Sequence, residues 1–161
     1  MECKRYNIES KIDFEINEGH GKGKEYYSDG ILEFEGEYLN GERNGKGKEY
    51  YKNGKLKYEG EYLNGERNGK GKEYYFNGKL KFEGEYLNGK RWNVKGYNIK
   101  SKIDFEINEG HGKGKEYYYD GNLVFEGEYL NGERWKGKGK EYNYDGKLVF
   151  EGEYLNGERL L

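Results

Sequence analysis

The segment Gly-Lys-Gly-Lys-Glu-Tyr begins at Gly21, Gly45, Gly69, Gly112 and Gly137, so the chain is constrained to fold as a stack of similar units. The first two spacings are 24 residues and the last is 25, because Trp135-Lys136 replaces a single Asn. Each unit continues through Asn/Asp-Gly, an aromatic-Glu-Gly-Glu-Tyr segment and Leu-Asn-Gly. Gly69 and Gly112 lie 43 residues apart, which is one full unit plus a shortened one of 19. The short unit also opens the chain, since Tyr6–Tyr27 and Tyr97–Tyr118 agree at 21 of 22 positions. The expected organisation is one array: short unit 1–20, full repeats 21–44, 45–68 and 69–92, short unit 93–111, then full repeats 112–136 and 137–161.

Composition decides what such a unit can be. In 161 residues there are 28 Gly, 19 Tyr, 7 Phe and 2 Trp, with no Pro, Ala, Thr or Gln. A helix tolerates this much glycine poorly. The 37% of charged residues would suit a disordered segment, but 29 Lys+Arg nearly cancel 31 Asp+Glu, and 17% aromatic content is too high for a solvated tail. Glycine-tolerant β-structure with an aromatic buried surface remains. The near-neutral balance argues against a nucleic acid partner, which calls for a basic stripe. Cys3 is the only cysteine, so no intrachain disulfide forms. The longest apolar runs are two or three residues, too short for a membrane-spanning helix or a signal sequence. The expected location is the cytoplasm or the cytosolic face of a membrane.

The unit reads as a β-hairpin. Asn53-Gly54 stands between two alternating runs and predicts a two-residue type I′ turn; Asp29-Gly30, Asn77-Gly78, Asp120-Gly121 and Asp145-Gly146 are its equivalents. That turn opposes Tyr51 to Leu56, Tyr50 to Lys57, Glu49 to Tyr58, Lys48 to Glu59, Gly47 to Gly60 and Lys46 to Glu61. It yields ten cross-strand Lys–Glu pairs over the five full repeats. Alternation places Gly45, Gly47, Glu49, Tyr51, Leu56, Tyr58, Gly60 and Tyr62 on one face, and Lys46, Lys48, Tyr50, Lys57, Glu59 and Glu61 on the other. Bare glycine backbone on the first face gives neighbouring rings a place to lie. Leu63-Asn64-Gly65-Glu66-Arg67-Asn68 leads into the next hairpin. The expected fold is all-β: an elongated, single-layer, twisted antiparallel β-hairpin solenoid rising ~10 Å per repeat.

Tyr58-Glu59-Gly60-Glu61-Tyr62, Asn64-Gly65 and Gly69-Lys70-Gly71, repeated in each full unit, resemble the MORN (membrane occupation and recognition nexus) repeat over nearly the whole chain. One departure is systematic: the family's usual aromatic two positions after the second Gly is Glu25, Glu49, Glu73, Glu116 or Glu141 here. The resemblance implies a hairpin solenoid acting as a scaffold or interaction module. It also implies two rivals, a lipid-surface binder and an antitoxin-like binder of one protein.

Enzyme-like motifs fail on inspection. Gly132-Glu133-Arg134-Trp135-Lys136-Gly137-Lys138 has phosphate-loop spacing, but Gly139 stands where the Ser or Thr belongs and the context is strand. His20 and His111 are equivalent turn residues of separate short units. The glutamate row offers no paired carboxylates at hydrolytic spacing. No catalytic residue, metal or cofactor is expected. The Glu row on the aromatic face instead suggests an acidic, tyrosine-lined groove for a basic or extended peptide. Its candidate contact residues are Tyr27, Tyr38, Glu49, Tyr51, Tyr58, Tyr62, Glu73, Tyr75, Tyr86, Glu116, Tyr118 and Tyr129. The expected partner is a protein or a second copy of the chain; membrane contact is disfavoured because each Lys is paired with a Glu. Trp92 and Trp135, each following an Arg at a repeat junction, read as packing plugs or partner anchors.

Overall fold

The computed structural model describes residues 12–17, 19–118, 120–142 and 147–160, with side chains from residue 19 onward. These residues form strands and turns, with fourteen strands in one antiparallel sheet paired in chain order. The first seven are β1 (Ile12–Asn17), β2 (His20–Tyr26), β3 (Leu32–Leu39), β4 (Glu42–Tyr50), β5 (Leu56–Leu63), β6 (Glu66–Tyr74) and β7 (Leu80–Leu87). The rest are β8 (Lys90–Tyr97), β9 (Ile103–Asn108), β10 (His111–Tyr117), β11 (Leu123–Leu130), β12 (Glu133–Tyr142), β13 (Leu148–Leu155) and β14 (Glu158–Leu160). The expected meander of hairpins is what the chain forms.

The two Asn-Gly dipeptides of a repeat make different turns, and not in the expected places. Asn64 and Gly65 have φ of 50° and 83°, so the type I′ turn joins β5 to β6. At Asn53-Gly54 only the glycine has positive φ, 76°. There Gly54 N–H donates to the Tyr51 carbonyl and Tyr51 N–H to the Lys55 carbonyl, each at 2.8 Å. This is a three-residue loop ending in a left-handed glycine, which advances the register by one. Tyr50 therefore opposes Leu56, and a bulge at Lys57 restores Glu49 opposite Tyr58. The two offsets cancel. All ten predicted Lys–Glu positions are opposed as expected.

Opposition is not always contact. Close ion pairs among the described residues include Lys113–Glu128 at 3.0 Å, Lys115–Glu126 at 2.9 Å and Lys140–Glu151 at 2.9 Å. Glu37 and Glu61 instead accept from the backbone N–H of Lys46 and Lys70, both at 2.9 Å. They thereby stitch one hairpin to the next.

A single sheet has no opposing layer, yet Phe34, Tyr58, Phe82 and Phe125 are 0–2% exposed. Their rings lie across glycine backbone: a Cβ at Gly47 would meet the Phe34 ring at 2.6 Å, and one at Gly71 would meet Tyr58 Cζ at 2.6 Å. Tyr38, Tyr62 and Tyr86 stand edge-on between them, with Phe34–Tyr62 centroids at 5.3 Å and Tyr58–Tyr86 at 5.3 Å. The core is thus one continuous herringbone of rings on one face of the sheet.

The short unit interrupts the pattern without breaking it. Its hairpin β9–β10 turns at Glu109-Gly110, with φ of 50° and 77°. Val94, Phe105 and Ile107 fill the ring layer, with Phe105 4.9 Å from Phe82 and 4.7 Å from Tyr129.

Candidate interaction face

Each full repeat carries the same three-part clamp over its rings. The Arg67 guanidinium forks onto Glu49, with Nε and Nη2 each donating at 2.9 Å, and the Tyr62 hydroxyl donates to the same carboxylate at 2.7 Å. Arg43 holds Glu25 at 2.9 and 2.7 Å, Arg91 holds Glu73 at 3.0 and 3.1 Å, and Arg134 holds Glu116 at 3.4 and 3.2 Å. Tyr38, Tyr86, Tyr129 and Tyr154 supply the hydroxyls to Glu25, Glu73, Glu116 and Glu141. Arg159 completes the set on Glu141. Every clamp spans the same 18 residues from Glu to Arg.

The guanidinium planes also roof the core. Arg43 sits 3.9 Å over Phe34, Arg67 4.1 Å over Tyr58 and Arg91 3.8 Å over Phe82. Neighbouring clamps touch: Arg67 Nη1 is 3.7 Å from Glu73, and Arg91 Nη1 is 3.8 Å from Glu116. The second contact carries the ladder across the short unit, where the shortened hairpin supplies neither an Arg nor a Glu of this kind.

The charge states follow from this wiring. Burial opposes ionisation of Glu49, but the Arg67 guanidinium and the Tyr62 hydroxyl outweigh it and lower its pKa to about 2. Glu116 is likewise lowered to about 2 against burial, by Arg91 and Arg134 first. Glu25 and Glu73 move the same way. The tyrosines move up: burial comes first and contact with carboxylates second for Tyr62, Tyr86 and Tyr129.

These facts recast the expected acidic groove. Tyr38, Tyr58, Tyr62, Tyr75, Tyr86 and Tyr129 are 0–4% exposed and Glu116 is 7% exposed, so they build the face rather than stand on it. Tyr27, Tyr51, Tyr118, Glu49 and Glu73 stay partly exposed. Tyr27, Tyr51 and Tyr75 donate to the carbonyls of Tyr50, Tyr74 and Tyr97, one hairpin along. Nor is the face acidic, because each glutamate is matched by an arginine. The arginines were the missing element; their signal was the recurrence of Arg after Asn-Gly-Glu or Asn-Gly-Lys at a fixed distance from each Glu.

Lys57 was expected on the opposite face. Its bulge turns it toward the clamps, and its ammonium lies 3.5 Å from Glu49. His20 and His111 are exposed on their strands. Trp92 packs on the short hairpin's turn, where a Cβ on Gly110 would meet its ring at 2.7 Å; Trp135 is 37% exposed. Among the described residues no group of His, Cys, Asp and Glu could hold a metal ion.

No curated protein matches the chain. Two family models do. The MORN repeat matches residues 34–55, 58–79 and 82–93, and the MORN repeat variant matches 19–40, 110–131 and 136–156. The matched segments together cover most of the chain and coincide with the hairpins that carry the Glu–Tyr–Arg clamps. The chain belongs to the MORN-repeat family.

Proposed function

We propose that the chain is a non-enzymatic scaffold that binds another protein across its clamp-bearing face. MORN repeats point to a repeat-built binding module. The observation that carries the finer reading is the commitment of the glutamates. Each is held between an arginine and a tyrosine in the same way in repeat after repeat, with pKa values pulled down where a general acid or base needs them near neutrality. What remains for the outer surface of this face is recognition. A lipid surface is the weaker occupant, because lysines on the opposite face alternate with opposed glutamates and form no basic cluster.

The test is crosslinking capture with the full chain, run beside sedimentation with anionic phospholipid vesicles at low salt. The reading expects one protein captured in stoichiometric amount and no retention by vesicles. Retention by vesicles with no captured protein makes it wrong.

A further inference from the structure

Six hairpins carry the same irregularity. In each, the residue two before the ring-layer aromatic opposes the partner strand, and the residue between is left over as a bulge. The left-over residues are Glu33, Lys57, Lys81, Asp104, Val124 and Val149. A bulge re-aims the side chain it releases. Lys57 points at the Glu49 clamp, and Lys81 rests its ammonium 5.3 Å from the Tyr75 ring centroid and 5.5 Å from that of Phe82. Asp104 accepts from Asn98 Nδ2 at 3.0 Å and also from the Tyr117 hydroxyl.

This row differs from the paired strand segments around it. The clamp Glu, its Tyr and its Arg are identical in all five full repeats, and the ring at the base is Phe or Tyr. Within the paired segments Gly-Lys-Gly-Lys-Glu-Tyr and Leu-x-aromatic-Glu-Gly-Glu-Tyr-Leu of the full repeats, the bulge position x alone changes in charge: acidic, basic, basic, then apolar twice, with the acidic Asp104 of the short unit between. Residues that build the ladder must repeat, because each fits its neighbour's copy. The bulge row is free of that requirement and remains partly exposed from Glu33 to Val124, with Val149 at 59%.

We propose that this row is the stripe by which the module reads its partner, and that the occupant is an extended segment of a protein crossing the strands. The proposal rests on the protein-binding reading above. Charge complementarity sets the segment's order: basic opposite Glu33, acidic opposite Lys57 and Lys81, basic opposite Asp104, apolar opposite Val124 and Val149. Hairpins ~10 Å apart match about three residues of extended chain, so the reading residues recur at every third position. The Lys81 ammonium, seated over two rings and facing the Glu116 and Glu73 carboxylates from beyond ion-pair distance, offers a cation to an incoming acid.

The probe is a labelled synthetic peptide carrying Lys, Glu, Glu, Lys, Leu and Leu in that order, about three residues apart with Ser and Thr between. Its control has Lys and Glu exchanged. Binding to the full chain is followed by fluorescence anisotropy at low salt. The expected result is a preference for the first peptide of roughly tenfold. Lys57→Glu/Lys81→Glu is expected to invert that preference and Lys57→Gln/Lys81→Gln to erase it. Lys46→Gln/Lys48→Gln, on the opposite face, leaves it intact. Equal binding of both peptides, binding of neither, or a preference indifferent to the Lys57 and Lys81 variants overturns the stripe. If crosslinking still captures the same protein in the Lys57→Gln/Lys81→Gln variant, the stripe is wrong and the protein-binding reading stands.

Discussion

Gly47 has no side chain because two rings already occupy the place. A Cβ there would stand 2.6 Å from the Phe34 ring and 3.0 Å from that of Tyr62, both backed by the sheet itself. Gly47→Ala is expected to cost ~1–3 kcal/mol, seen as a lowered unfolding midpoint. Gly54→Ala meets no atom within 4 Å but inherits a φ of 76°, so its cost of ~1 kcal/mol is conformational. An unchanged midpoint for Gly47→Ala contradicts ring-on-backbone packing. The clamp residues make a second prediction, of pH dependence. Glu49 and Glu116 titrate near 2 in the folded chain against an ordinary 4.5, so ionisation favours the fold. Their contribution is complete above about pH 5 and is lost as pH falls toward about 2. Tyr50 and Tyr51, pushed up to about 12 with burial as the first cause, act in the opposite sense. Their contribution is complete below the ordinary value of 10 and is lost as pH rises through about 12. Denaturant midpoints across pH should therefore show a plateau with an acid and an alkaline shoulder; a midpoint that holds at pH ~3 counts against the clamps.

At the scale of the hairpin, the two Asn-Gly turns separate cleanly by experiment. Asn64 sits at φ 50° in the type I′ turn, whereas Asn53 has an ordinary φ and uses its Oδ1 to accept from Lys55 N–H at 3.0 Å. Asn64→Ala is expected to cost ~1–2 kcal/mol in left-handed strain, and Asn53→Ala less, so thermal melts should rank them in that order. The reverse ranking would mean the turn types are misassigned. The dipeptide was legible in the sequence, but the turn it makes was not, because a two-residue and a three-residue loop both accept Asn-Gly and differ by one step of register. Ten lysines opposite ten glutamates were still read correctly, since the Lys57-type bulge gives that step back. The ring rows on glycine were legible for the same reason. The Arg row was not: Arg67 lies beyond a turn from Glu49, and only the overlap of consecutive hairpins brings them together. A side chain that belongs to one hairpin and serves the previous one cannot be found by reading hairpins singly.

Over the whole molecule, Arg91 has the most to hold. It forks onto Glu73, reaches Glu116 at 3.8 Å and so joins the repeats on either side of the short unit. Arg91→Met should cost ~3–5 kcal/mol, because it leaves carboxylates of the ladder short of their cation. In a linear array that loss falls on one interface. Denaturation is therefore expected to broaden into two steps, while Arg159→Met, at an exposed copy of the clamp, leaves it sharp. A single sharp transition in Arg91→Met would show that the ring layer through Phe105 couples the halves by itself. The ladder's regular reach has a further consequence. Glu to Arg is 18 residues and Tyr27 to the Tyr50 carbonyl is 23, so these bonds extend no farther than the adjoining unit. Excising residues 45–68 would bring Gly69 up to Asn44 and re-create, around Arg43 and Glu73, the neighbourhood that Arg43 and Glu49 have now. Length in such a chain is a quantity that recombination can change by whole units while keeping the Glu–Tyr–Arg ladder continuous, and a cut of half a unit would strand every clamp it touched.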